Sequence, residues 1–93
     1  VVNNVGLIKN TSDFTWSMYP NPSNGTLTLT LPTNFKEGKV TFYNTLGEIV
    51  KVISLNNTNK VANLNIMELK NGIYLIALSS EEQFSTKTIL INK

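Results

Sequence analysis

Apolar and polar residues alternate with a period of two along most of this chain. Phe14, Trp16 and Met18 alternate with Thr15, Ser17 and Tyr19, and Pro20 stops that strand because it has no N–H to give to a ladder. Asn24-Gly25 turns the chain, both residues tolerating positive φ. Thr26 to Leu31 follows as strict Thr/Leu alternation, which predicts a strand with one buried face, and Pro32 ends it. Val40-Thr41-Phe42-Tyr43 then leads into Asn44-Thr45-Leu46-Gly47, a hairpin turn with Gly where a left-handed residue is wanted. Glu48 to Leu55 carries Ile49, Ile53 and Leu55 against Val50 and Val52, the pattern of a central strand or of one with a bulge.

The second half continues in the same way. Asn56-Asn57-Thr58-Asn59 is a polar loop, Val61 to Ile66 a weaker strand, and Met67-Glu68-Leu69-Lys70 fits a single helical turn. Ile73 to Leu78 is an unbroken apolar run, which predicts burial on both sides. Ser79 to Gln83 is a further turn, and Phe84 to Asn92 the last strand. Seven short strands at close spacing predict an all-β, immunoglobulin-like antiparallel sandwich over residues 14–93. Leu69-x-x-Gly72-x-Tyr74 has the spacing of a tyrosine corner, whose phenol bonds back to the backbone a few residues upstream. Residues 1–13 are rich in Asn, Ser and Thr and are expected to be a linker, with a short extended stretch at Val5–Ile8.

Composition narrows the functions open to such a fold. At 93 residues there is room for one core. The absence of Cys excludes disulfides and thiolate metal sites. A formal charge of +2, from scattered lysines and carboxylates, is too small and dispersed to indicate nucleic acid. No run of 18 apolar residues is present to form a spanning helix. The chain begins at Val1 without a charged-then-apolar leader, as expected of a piece cut from a longer protein. With no His there is no ordinary base for a serine nucleophile, and the pair Glu81-Glu82 alternates across an expected exposed turn. Asp13 with Asn carbonyls would make a poor calcium site. The chain is therefore expected not to be an enzyme and to need no cofactor or metal.

Three patterns in fixed order carry a resemblance. They are Tyr19-Pro20-Asn21-Pro22-Ser23-Asn24-Gly25, then Leu46-Gly47-Glu48-Ile49-Val50, then Gly72-x-Tyr74 with the closing run Lys87-Thr88-Ile89-Leu90-Ile91-Asn92-Lys93. Together they resemble the type A C-terminal sorting domain of the type IX secretion system of Bacteroidetes, across about residues 14–93. Departures occur where that family usually has an acid at the Asn44 position, a basic residue at the Glu48 position, Gly in the final hairpin and a basic residue at the Thr88 position. The resemblance implies a seven-stranded sandwich that acts as an address label. Its cargo, upstream in the same chain, passes from the periplasm through the outer-membrane translocon of a Gram-negative bacterium. A sortase-like cysteine protease then removes the label, in or just before residues 1–13, and the cargo reaches the cell surface or the medium. Residues implied in recognition are Gly72, Tyr74, Lys87, Ile89, Leu90, Ile91 and Lys93, with Pro20, Pro22, Gly25 and Gly47 shaping turns. No nucleic acid and no direct membrane insertion are implied.

Each of these residues also has a plainer reading. Ile89 and Ile91 share one sheet face and Leu90 the other, so two core residues and one half-covered one account for the run. Gly72 and Tyr74 read mainly as the structural corner. The competing function is an immunoglobulin-like adhesive or carbohydrate-binding module of a secreted enzyme, which needs an exposed aromatic or polar ligand face. Phe42 and Tyr43 point to opposite faces and Trp16 belongs with Phe14 and Met18, so a sugar-stacking platform is disfavoured.

Overall fold

A computed structural model describes residues 15–33, 35–56, 60–81 and 83–93. The linker expected over residues 1–13, Phe14 and most of the Asn56–Asn59 loop lie outside these residues. The strands are β1 (Ser17–Tyr19), β2 (Thr26–Thr30), β3 (Gly38–Tyr43), β4 (Ile49–Leu55), β5 (Val61–Asn65), β6 (Gly72–Ser80) and β7 (Gln83–Ile91). They form two antiparallel sheets, one ordered β1-β2-β5 and the other β4-β3-β6-β7. The result is an open, immunoglobulin-like sandwich in which β4 stays beside β3 rather than crossing to the other sheet.

Alternation decides what fills the space between the sheets. Leu27, Leu29, Ala62 and Leu64 point inward from the three-stranded sheet. Val40, Phe42, Tyr74, Ile76, Leu78, Ile89 and Ile91 meet them from the four-stranded sheet. Leu31, Phe35, Ile66 and Leu69, just outside the strands, close the ends of this core. Each large aliphatic side chain so buried contributes about 1.5–3 kcal/mol of transfer free energy, against the cost of ordering the chain.

Two expectations from the sequence need correction, and a third is decided in favour of one of its two alternatives. β4 is an edge strand, not a central one. Its apolar residues fall on both faces because of the bulge: Phe42 pairs with Lys51 but Tyr43 pairs with Ile49, so Val50 is the extra residue. That insertion moves Ile49 off the face of Ile53 and Leu55 and onto the outward face of Val52. β6 is buried on one side only, for Ile73 and Leu75 are 54% and 42% exposed. Its continuous apolar run therefore marks two apolar faces, not two covered ones. Met67–Lys70 contains a tight turn, with the Leu69 N–H donating to the Ile66 carbonyl at 3.1 Å, and no helical turn forms there.

The Asn44–Gly47 hairpin turn is as the sequence predicts. The Gly47 N–H donates to the Asn44 carbonyl at 3.0 Å, and Gly47 has φ +85°, a region open to Gly at little cost. In the final hairpin Glu81 takes the positive-φ position (φ 50°) instead of a glycine. Between β1 and β2 only Gly25, and not Asn24, has positive φ.

Candidate functional site: the terminal strand and its seam

The implied recognition residues gather at one end and one edge of the four-stranded sheet, on β6, β7 and the chain end. Gly72 opens β6 with φ +151°, a conformation that side-chain-bearing residues rarely adopt. Two residues on, the Tyr74 ring is buried, and its hydroxyl donates to the Lys70 carbonyl at 2.6 Å. This is the tyrosine corner that the spacing predicts, and it fixes the connection from β5 across to β6.

β7 lies antiparallel beside β6, with Tyr74 opposite Ile89 and Gly72 opposite Ile91. Ile89 and Ile91 are fully buried in the core, whereas Leu90 is 39% exposed on the opposite face. Lys87 holds its ammonium 5.4 Å above the Trp16 ring centroid, a cation–π geometry that ties β7 to the residue preceding β1. Lys93 is held twice. Its backbone N–H donates to Asn71 Oδ1 at 2.9 Å, and its Nζ donates to the Met67 carbonyl at 2.8 Å. Thus Lys87, Leu90 and Lys93 present surface, while Gly72, Tyr74, Ile89 and Ile91 set the shape beneath it.

The outer edge of β7 is not bare along its length. Alternation turns the backbone groups of Thr88, Leu90 and Asn92 away from β6. The Asn21–Ser23 segment meets them there. Asn21 Oδ1 accepts from the Leu90 N–H at 3.1 Å and its Nδ2 donates to the Thr88 carbonyl at 3.3 Å. The Ser23 N–H donates to the Leu90 carbonyl, and the Asn92 N–H to the Ser23 carbonyl, both at 2.8 Å. This short parallel bridge closes the seam between the two sheets. Ser23 is fully buried, and its hydroxyl donates to the Thr26 carbonyl at 2.7 Å while accepting from the Gly25 N–H at 3.1 Å. In the sequence Pro20, Pro22 and Gly25 read as turn residues, and Asn21 and Ser23 have no visible role. Pro20 and Pro22 are exposed and both follow cis peptide bonds, and Gly25 is buried against Met67. The missed signal is that the Asn21 amide can bond to a distant backbone, while the Ser23 hydroxyl holds the local turn and leaves the Ser23 backbone N–H and carbonyl to meet β7.

The two departures from the usual charge pattern around Gly47 meet in one contact. Asn44 Nδ2 donates to Glu48 Oε1 at 2.8 Å, and Asn44 Oδ1 accepts from the Leu46 and Glu48 N–H groups at 2.9 and 3.0 Å. An acid at position 44 and a base at 48 would pair with donor and acceptor exchanged. The turn is kept with the polarity reversed. Nearby, Lys51 and Glu68 form an ion pair, and that hydrogen bond is the main reason the Glu68 carboxyl sits below its ordinary range.

Trp16, Phe42, Tyr43 and Tyr19 do not converge on a common platform. Trp16 and Phe42 are core, Tyr43 lies on the outward face of the four-stranded sheet, and the largely exposed Tyr19 sits on β1 of the other sheet. Among the described residues, no group of three or more His, Cys, Asp or Glu side chains is placed to hold a metal ion. No helix among them is long and apolar enough to cross a membrane.

Comparison with known families gives one finding that bears on all of this. The family model described as a secretion system C-terminal sorting domain matches residues 17–92, from the first residue of β1 to the residue after β7. No curated protein matches the chain.

Proposed function

Because the chain belongs to the family of secretion system C-terminal sorting domains, we propose that it is a folded address label of the type IX system. On this reading it commits an upstream cargo to the outer-membrane translocon of a Gram-negative bacterium. A sortase-like cysteine protease then cuts it off within or just before residues 1–13, and the cargo reaches the surface or the medium. The family is one of sorting rather than catalysis, and the domain's part is to be bound and cleaved.

The observation that carries the reading is the family match over nearly the whole sandwich, including the terminal strand. The seam supports a recognition mode. With the Thr88–Asn92 edge already bonded to Asn21 and Ser23, an added strand would have to displace four hydrogen bonds there. The machinery is therefore taken to read the finished surface around Lys87, Leu90 and Lys93. Gly72, Tyr74, Ile89 and Ile91 act through the shape they enforce.

The test is a secreted reporter fused ahead of the chain in a host that has the type IX system. The reporter should reach the surface or medium with the chain attached, and stay in the periplasm without it or in a strain lacking the translocon. Equal export without the chain would refute the proposal. Deleting Ile89–Lys93 removes two core isoleucines, so Leu90→Ser and Lys93→Ala are the cleaner probes of the terminal surface. N-terminal sequencing of the released domain should give a start no later than Phe14.

A further inference from the structure

The two sheets have opposite outer faces in chemical character. The three-stranded sheet shows water mainly Thr26, Thr28, Thr30, Asn63 and Asn65, with Tyr19 and Val61 the apolar exceptions on its flanking strands, and Thr28 Oγ1 donates across the strands to Asn63 Oδ1 at 2.9 Å. The four-stranded sheet instead exposes Ile49 (60%), Val52 (50%), Leu75 (42%), Phe84 (68%) and Leu90 (39%), beside the half-buried Tyr43. Strand register places these on one side: Tyr43 opposite Ile49 and Leu75, Thr41 opposite Val52 and Ala77, and Phe84 opposite Ser79. Thr41 is only 5% exposed although it points outward, so the larger neighbours rise around it and the face is a shallow trough. Solitary exposed apolar residues are ordinary, but a contiguous apolar patch of this kind marks an interaction surface.

We infer that this trough docks a protein of the export machinery that presents an uncharged apolar surface with an acidic group at its rim, and that it does so transiently. The inference rests on the sorting reading and names a partner surface for it. Area argues against a second copy of the chain as the occupant. Four strands about 4.8 Å apart and ~20–25 Å long give ~400–500 Å² a side, well under the ~800 Å² of a standard stable interface. Charge argues the same way. Lys39 is the one charged residue on the outward positions of these four strands, and it has no ion pair among the described residues. A second copy would bring another Lys39 and no carboxylate on these outward strand positions, its acids Glu37, Glu48 and Glu81 lying in the flanking turns, whereas a different protein can supply the acid at the docked face. A small apolar contact that releases readily also suits a label that is bound and then removed.

The test uses the full 93-residue chain behind a secreted reporter, with Val52→Lys, Leu75→Lys and Phe84→Ser on the trough. Thr28→Lys and Asn63→Lys on the opposite face are the controls. Melting of each purified chain shows whether it folds, and Phe84→Ser, at the most exposed of the three positions, keeps the test open should a lysine variant unfold. Expected is a tenfold or greater loss of exported reporter for folded trough variants, with the controls within twofold of wild type. Excess free wild-type chain should also compete with the reporter for export, and the Leu75→Lys chain should not. Folded trough variants that export and compete like wild type overturn the trough and leave the sorting reading intact. A wild-type fusion that is not exported overturns both. Concentration-dependent dimers in sedimentation, abolished by Leu75→Lys, would show that a second copy is the occupant and overturn the proposed partner.

Discussion

Tyr74→Phe removes one oxygen atom and leaves the ring in place, which isolates the corner from the packing around it. The lost hydrogen bond is short, 2.6 Å to the Lys70 carbonyl, and partly buried. Net contributions of such bonds are about 0.5–1.5 kcal/mol, rising to about 1–3 where the abandoned partner stays dry. The bond is only part-buried, so water can reach the Lys70 carbonyl once the phenol is gone. The lower range applies, about 1 kcal/mol. For a domain of this size that corresponds to a fall in melting temperature of about 4–8 °C. Urea unfolding of the two proteins side by side is the assay, and the midpoint should drop while the slope stays the same. Superimposable unfolding curves would refute the corner as a stabilising device. Export of the fraction that remains folded should hardly change, because Tyr74 lies beneath the surface. A large export defect with unchanged stability would mean that the phenol is read directly.

Three further outcomes follow from the contacts described. Asn44→Asp places two acids where Asn44 and Glu48 now share a hydrogen bond and should destabilise the turn by about 1 kcal/mol; Asn44→Asp with Glu48→Lys should recover most of that loss in a double-mutant cycle. Asn21→Ala removes the acceptor of the Leu90 N–H, so amide hydrogen exchange at Leu90 should quicken at least tenfold while Ile89, facing β6, keeps its protection. Glu68, held below its ordinary carboxylate range by Lys51, stabilises the fold above its unfolded pKa, and that stabilisation is lost as pH falls through the lower folded value. Glu68→Gln should therefore flatten the acid limb of a stability-against-pH curve by lowering its neutral plateau slightly, the two proteins converging at acid pH where wild type has already lost the contribution.

The strands were legible in the sequence because burial between two sheets imposes a period of two, and Leu27/Leu29 or Ile89/Ile91 could satisfy it in only one way. The corner was legible because its spacing is local. What failed to show was whatever depended on partners far along the chain. A run such as Ile73–Leu78 is apolar on both faces whether the second face meets another layer or meets solvent, and only the sheet order separates the two cases. The pattern of Glu48–Leu55 admits a bulge or a central position, and only the register puts the bulge at Val50, since a one-residue slip in pairing leaves no mark in composition. Asn21 and Ser23 went unassigned for the same reason: their bonds are made to β7, 67 and 69 positions away from Asn21. The Asn44–Glu48 exchange looked like a loss of charge pairing in the sequence. It is one only until the side chains are placed, for an amide can donate where a carboxylate would have accepted.

Bonding between Asn21–Ser23 and the final strand has one consequence for how the protein comes into being. A polypeptide stopped or clipped a few residues short of Lys93 leaves its opening segment with nothing to clasp and its interior without Ile89 and Ile91. Ordering of the segment between β1 and β2 is thereby made conditional on β7 being in place, although the two lie at opposite ends of the sandwich's strand sequence.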